Sequence, residues 1–464
     1  MNPKRDSSGR SDAVRNRQRI LDAARRLLAQ APAATLADIA AAADVSRSTL
    51  YRHFPSRDDL IAVVGDLPAQ ADVREPEDAL PAGQLGRARP VALEAIAAFD
   101  AVSPHVLPDQ LVAEAQRIAG VPLALYVLDI DGSHLLRVAG TSRVPERLEA
   151  PLAIGPELDA DGLSALRRAM HELPGVHLVP LWLRGRATGL LVAIDEPRQP
   201  LRDIARQAAA AIALAEQYTD AFTRAKRRKQ PQAAAEIQQS LLPPRISRVS
   251  GGEVAGNVLP TYEVAGDWFD VVENADGVWL SLADGLGGGT RSTASAAVAL
   301  GALRASRRSG GSPSEALLVM HRTLREMPGP HLEMTALIAL WDNTIRQVTI
   351  SDCGHVPPIV IRAAGGSEQI EMPRGRGLGG RTTPRPRERA VRLATGDRLV
   401  LMSNGVVGPG EGEASLTADD VIRAALRSER GTAAETVRKV HGKVMEVSGG
   451  KLSRDATVVC LAIS

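Results

Sequence analysis

Apolar positions first fall into register at Ile20, Leu21, Ala24, Leu27 and Leu28, spacings that gather them on one stripe of a helix. The residues before them, 1–12, are polar and aperiodic and read as a disordered start, which places an all-α unit over 13–65. Within it, Thr35-Leu-Ala-Asp38 opens a helix with a capping-box pattern in which Asp stands for the more usual Glu. Leu36–Ala42 is that short helix, Ala43-Asp44-Val45 is a tight turn, and Ser46 caps a following helix through Thr49, Leu50 and Tyr51 to Phe54. Ile39, Leu50 and Phe54 are the core positions of the pair. Pro, Gly, Asp and Glu repeat without period from Asp66 to Pro90, and 66–103 reads as a linker.

Beyond it the pattern becomes mixed. Leu123–Ile130 is strand-like, Asp131-Gly132 is a hairpin signal, and Leu135–Ala139 returns as a second strand. A second hairpin joins Leu178–Leu183 to Thr188–Ile194 through Arg184-Gly185, with helical stretches on either side. These elements define an α/β unit over 104–216. One long Ala-rich helix is expected from Leu201 to about Lys229, ending in the basic run Arg224–Lys229. A second helix, Ala233–Leu242, stops at Pro243-Pro244, so 217–244 forms a helical stalk that either transmits a signal or merely connects. Alternating strands and helices then fill 245–464, an α+β unit.

Composition narrows the class. A chain of 464 residues exceeds one ordinary core, and its 44% hydrophobic and 24% charged residues are those of a soluble multidomain protein. The net charge of +2 confines any nucleic-acid surface to a local patch. Cys353 and Cys460, the two cysteines, supply neither a disulfide framework nor a metal cluster. There is no apolar run of membrane-spanning length and no apolar signal core, so a cytoplasmic location with no membrane partner is expected.

The stretch TLADIAAAADVSRSTLYRHFPSRDDL resembles the TetR-type helix-turn-helix. The resemblance implies DNA binding through residues 35–54, with Ser46, Arg47, Ser48, Thr49 and Tyr51 facing DNA and His53 touching phosphate. Hydroxyls and a helix N-terminus suit phosphates, and an arginine suits a guanine edge. A helical hairpin used for protein contact is the alternative. The all-helical dimerisation domain usual in that family is not visible, so a homodimer would form elsewhere. The layout of 104–216 resembles a GAF-type sensor, which implies an unidentified small-molecule or protein signal.

Six segments resemble, in order, the motifs of a SpoIIE-type member of the metal-dependent PPM phosphatases. They are Ala235–Pro244, Val264–Asp270, Ala283–Gly289, Asp352–Pro358, Gly396–Gly405 and Arg454–Thr457. The implied fold is a sandwich of antiparallel sheets flanked by helices. The implied cofactor is a pair of Mn²⁺ or Mg²⁺ ions, hard cations that favour oxygen ligands. By resemblance, Asp284 bridges both ions, Gly285 offers its backbone carbonyl and Asp267 holds metal-bound water; Asn404 and Asp455 stand at the last two ligand places. His355 is expected as a turn residue, Cys353 as packing, and Trp268 and Trp279 as core.

Two positions depart from the pattern. Asn404 stands where the family has Asp, and Arg454 where the final Asp-Asp begins. Asn ligates without charge, and Arg brings a cation. Asp455 turning inward, or Arg454 gripping the substrate phosphate bidentately, would compensate. The resemblances together imply a phosphoserine/phosphothreonine protein phosphatase coupled to DNA, acting on a phosphorylated anti-sigma-factor antagonist to regulate transcription. The alternative is a non-enzymatic DNA-binding regulator whose phosphatase fold serves as a binding module.

Overall fold

The computed structural model describes residues 20–21, 23–24, 27, 36–45, 50, 54, 60, 97–170, 175–227, 232–260, 266–285, 287–329, 332–373, 375–408 and 415–464. The chain divides into two compact units, Met1–Gln84 and Leu85–Ser464.

In the first unit, α1 (Leu36–Ala42) forms as expected. Asp44 ends it in the left-handed region at φ 51°. Its N–H donates to the Ala41 carbonyl at 3.2 Å, and that of Val45 donates to the Ala40 carbonyl at 3.1 Å, the paired bonds of a Schellman cap. Ile39, Leu50 and Phe54 are buried with Ile20, Leu21 and Leu60, so the three expected core positions do pack together. Phe54 N–H donates to the Leu50 carbonyl at 2.8 Å, a bond of i to i−4 spacing. The expected DNA-facing residues Ser46, Arg47, Ser48, Thr49, Tyr51 and His53 lie outside the described residues, as do 1–12 and 66–96.

In the second unit α2 (Leu107–Ala119), preceded by a short 3-10 turn at Pro104–Val106, is ended by Gly120 at φ 66°. There follow β1 (Leu123–Leu128), β2 (His134–Gly140), β3 (Arg147–Glu149), α3 (Ala160–Met170), β4 (Val176–Leu183), β5 (Arg186–Ile194) and α4 (Arg202–Ala215). The strands form one antiparallel sheet of order β3-β2-β1-β5-β4. Alternation along β1 sends Leu123, Leu125 and Val127 against α2 and α4, and Ala124, Tyr126 and Leu128 against α3. Burial on both faces is why β1 is apolar throughout. Arg184 and Gly185 both take positive φ in the β4–β5 turn, at 48° and 88°. The three-residue β3 escaped the sequence reading because Arg-Leu-Glu carries no usable alternation.

The single helix expected from Leu201 to about Lys229 is corrected. It ends at Ala215, and a separate α5 spans Ala221–Ala225. The break lets Phe222 turn into the core between α2 and the sheet, where it is fully buried. It also brings the Lys226 carbonyl within 3.0 Å of the Ile130 N–H. Burial of an aromatic ring outweighs the Ala-rich propensity for one continuous helix. The segment after it, α6 (Ala233–Leu241), packs on the C-terminal domain.

That domain comprises β6 (Ile246–Val249), β7 (Gly252–Leu259), β8 (Trp268–Asn274), β9 (Gly277–Gly285), α7 (Gly289–Arg308), α8 (Pro313–Glu326), β10 (Met334–Asp342), β11 (Gln347–Cys353), β12 (Ile359–Ile361), β13 (Ser367–Gln369), β14 (Arg387–Arg392), β15 (Arg398–Met402), α9 (Ala418–Leu426), α10 (Ala433–Val447) and β16 (Ala456–Ile463). Two sheets, ordered β14-β11-β10-β9-β8 and β13-β12-β15-β16-β7-β6, enclose a core that includes Phe269, Leu280, Leu337, Leu399 and Val459. Helices α7 and α8 cover the outer face of the first sheet, and α9 and α10 that of the second. Trp268 and Trp279 lie in the α7–α8 layer and Cys353 packs beside them, all three as expected.

Candidate functional site

Register brings the site together at one end of this sandwich. In the first sheet Trp268 pairs with Ala283, so continuing the ladder sets Asp267 across from Asp284. In the second, Met402 pairs with Val458, and the Ser403 N–H donates to the Thr457 carbonyl at 3.0 Å just past it. Asp455 and Asn404 flank that pair. Gly405 has no side chain because a Cβ there would lie 2.0 Å from the Asp455 carbonyl oxygen.

Hydrogen bonds then stitch one sheet end to the other. The Thr457 hydroxyl donates to Asp267 Oδ2 at 2.8 Å, and the Asn404 N–H donates to Asp284 Oδ2 at 3.1 Å. Asp267, Asp284 and Asp455 are all buried. Burial, together with the charges of Asp284 and Asp455, pushes the Asp267 carboxyl well above its ordinary range. Burial also raises Asp284 to about 6, against the pull of the Asn404 N–H and the Arg454 guanidinium.

The three carboxylates thus repel one another, and Arg454 offsets only part of that charge. Oxygen donors under mutual repulsion suit a hard divalent cation in kind and in charge. They fall short in number of the set expected for two. Asn404 contributes no charge, and among the described residues no three His, Cys, Asp or Glu side chains form a ready-made metal cluster.

Sequence reasoning missed one residue here. Gln238 on α6 is buried, and its Nε2 donates both to the Asp267 carbonyl at 3.0 Å and to Asp455 Oδ2 at 2.7 Å. The entry-helix motif containing it was visible, but nothing in its spacing pointed at aspartates 29 and 217 residues away. His355 is the turn residue expected. Asp352 accepts its N–H at 2.8 Å and that of Gly354 at 3.1 Å, and the Thr335 hydroxyl meets its Nδ1 at 2.8 Å.

Parts of the chain are similar to known proteins. Residues 274–464 match the family model described as stage II sporulation protein E, and residues 20–64 match that of the bacterial regulatory proteins of the tetR family. The first match begins beyond Asp267. The phosphoserine phosphatase RsbU of Bacillus subtilis is 21% identical over 228 residues, 49% of this chain and 68% of that protein. The HTH-type transcriptional repressor LfrR of Mycolicibacterium smegmatis is 57% identical over 47 residues, 10% of this chain and 25% of the repressor. The solved RsbU and RsbW domains of Rv1364c from Mycobacterium tuberculosis align at 24% identity and a TM-score of 0.41, covering 48% of this chain and 64% of that one. The chain therefore spans a quarter of the repressor's length and under two thirds of the solved two-domain chain.

Proposed function

We propose, for a chain that joins a TetR-type DNA-binding segment to a SpoIIE-type phosphatase-fold domain, that the latter is a divalent-metal-dependent phosphoserine/phosphothreonine protein phosphatase. The observation that carries this is the convergence of Asp267, Asp284 and Asp455 as buried, mutually repelling carboxylates at one end of the sandwich. Asp284, Asp267 and the Gly285 carbonyl would hold a first Mn²⁺ or Mg²⁺. Asn404 and Asp455 would complete a second, weaker place. The chemistry a bound ion supplies is neutralisation of the phosphoryl oxygens and activation of water.

The chain's own groups do the positioning. Asn404 N–H orients the Asp284 carboxylate, the Thr457 hydroxyl orients Asp267, and Gln238 orients Asp455. Arg454, exposed and close enough to lower the Asp284 pKa, is suited to grip the substrate phosphate.

In this reading the protein is cytoplasmic and homodimeric. Its substrate is a phosphorylated antagonist of an anti-sigma factor, and the GAF-like sheet domain receives a small-molecule or protein signal. The TetR-type segment binds DNA through Ser46, Arg47, Ser48, Thr49, Tyr51 and His53.

The test is turnover of a chromogenic phosphomonoester by the full chain with Mn²⁺. Turnover that Asp284→Ala abolishes is expected. Absence of both turnover and calorimetric Mn²⁺ binding would remove the enzyme. It would leave the second reading, a DNA-binding regulator with a degenerate phosphatase module, which the Arg454 cation beside Asp284 favours. For DNA, a selected palindromic duplex should shift with the wild-type chain and at least tenfold more weakly with Tyr51→Ala.

A further inference from the structure

One stretch of the C-terminal domain is unlike the rest in charge. Arg376, Arg381, Arg385, Arg387, Arg389 and Arg392 are all exposed, and Glu388 is the sole acid between residues 375 and 392. Glu388 is already engaged, accepting from the Ser314 hydroxyl at 2.6 Å and the Ser351 hydroxyl at 3.3 Å. None of the six arginines has an acidic partner among the described residues. Other arginines of this domain are paired: Arg304 and Arg307 with Asp270, Arg362 with Asp397 and Arg438 with Asp159.

The six follow a path. Leu378 and Met334 exchange backbone hydrogen bonds of 2.6 and 3.1 Å, and Met334 pairs in turn with Gly285. A Cβ on Gly377 would lie 2.8 Å from the Met334 carbonyl oxygen. The loop bearing Arg376 is thus one strand removed from the acid cluster. From there the chain runs through Arg381 and Arg385 into β14, the outermost strand of its sheet. Arg387 and Arg389 alternate onto the face opposite Glu388, the one on which Val391 meets the inter-sheet core, yet both stay exposed.

Charges on an edge strand ordinarily block unwanted sheet pairing. That role needs neither six residues of one sign nor a path that begins beside the acid cluster. Like charges so close repel one another, and an anionic partner relieves the repulsion. Beyond β14 no further strand is paired among the described residues. An extended polypeptide offers both a backbone to match that edge and carboxylates to match the guanidiniums. Duplex DNA offers only the charge.

We propose that this arginine-lined edge is the docking track for an extended acidic segment of the phosphoprotein that the acid cluster dephosphorylates. The inference rests on the phosphatase reading and adds the class of its substrate: a phosphoprotein with acidic residues flanking the phosphorylated one.

The experiment uses the full chain and two labelled phosphoserine peptides, one with a Glu-rich flank and one with Gln in its place. The triple variant Arg385→Glu/Arg387→Glu/Arg389→Glu should bind the acidic peptide at least about tenfold more weakly by fluorescence anisotropy. Binding of the Gln peptide should be unchanged, as should turnover of the small chromogenic ester. The wild-type preference for the acidic peptide should shrink between low and high salt. Arg376→Gln/Arg381→Gln, which reverses no charge, should give a smaller loss of the same kind and guards against misfolding of the triple variant.

Equal affinity of wild type and both variants for the acidic peptide would overturn the proposal. So would variants that lose duplex DNA but keep the peptide, which would make the edge a nucleic-acid surface. Arginine-dependent peptide binding without any turnover would remove the phosphatase reading and keep the track. Turnover with arginine-independent binding would do the reverse.

Discussion

Gln238 gives one amide nitrogen to two acceptors, and both belong to the acid cluster. Replacing it with Leu leaves a buried Asp455 oxygen without that donor, at a cost of about 1–3 kcal/mol, read as a lower denaturant midpoint at unchanged slope. Phosphomonoester turnover should fall with it, because Asp455 is then no longer held. Arg454→Asp works in the opposite sense. It exchanges a cation beside Asp284 for a carboxylate, and Mn²⁺ affinity by calorimetry should rise at least about tenfold, an effect of two units of charge near a dication. Asp267 and Asp284 were legible in the sequence because glycine-flanked acids at strand ends carry a local signature. Gln238 was not, since its role exists only once α6 lies across two sheet ends. The helix-turn-helix core was legible as well, since Ile39, Leu50 and Phe54 pack together as expected.

Among the elements, α5 is where local propensity misleads. Nine alanines between Leu201 and Lys229, with long side chains among them, favour a continuous helix only until Phe222 demands burial. Phe222→Ala should cost about 3–5 kcal/mol, measured by chemical denaturation of the full chain. Helix α10 carries a pH dependence. His441 is buried, and burial lowers its pKa from 6.5 to about 4, opposed by a hydrogen bond with the Ala456 backbone. The unfolded chain then takes up a proton first as pH falls. This residue's contribution is complete above pH 6.5 and is lost between there and about 4, at most about 3 kcal/mol. His441→Leu should flatten the stability profile in that window relative to wild type. A parallel profile would show that His441 reaches water.

Across the second unit as a whole, the sheet domain and the sandwich meet through a buried polar seam that no sequence pattern announced. Glu157 pairs with Arg186 at 3.0 Å and accepts the Ile246 N–H at 2.7 Å, while its charge acts on buried Arg245. Arg245 in turn donates to Gln239 Oε1 at 2.8 Å, on the helix that carries Gln238. Beside this seam Arg438 binds Asp159, and Arg430 reaches Asp161. Glu157→Ala would strand two buried guanidiniums and should cost about 3–5 kcal/mol, with phosphatase turnover falling alongside stability. A hydrophobic boundary would have shown as apolar periodicity. A polar one leaves scattered Asp, Glu and Arg that look like solvated surface until the fold closes over them. The seat of α6 also decides how such modules can be exchanged. A chimera joined after Pro244 puts a foreign helix where Gln238 belongs and inherits a loosened acid cluster, whereas a graft made ahead of Ala233 transplants that helix with its own sandwich.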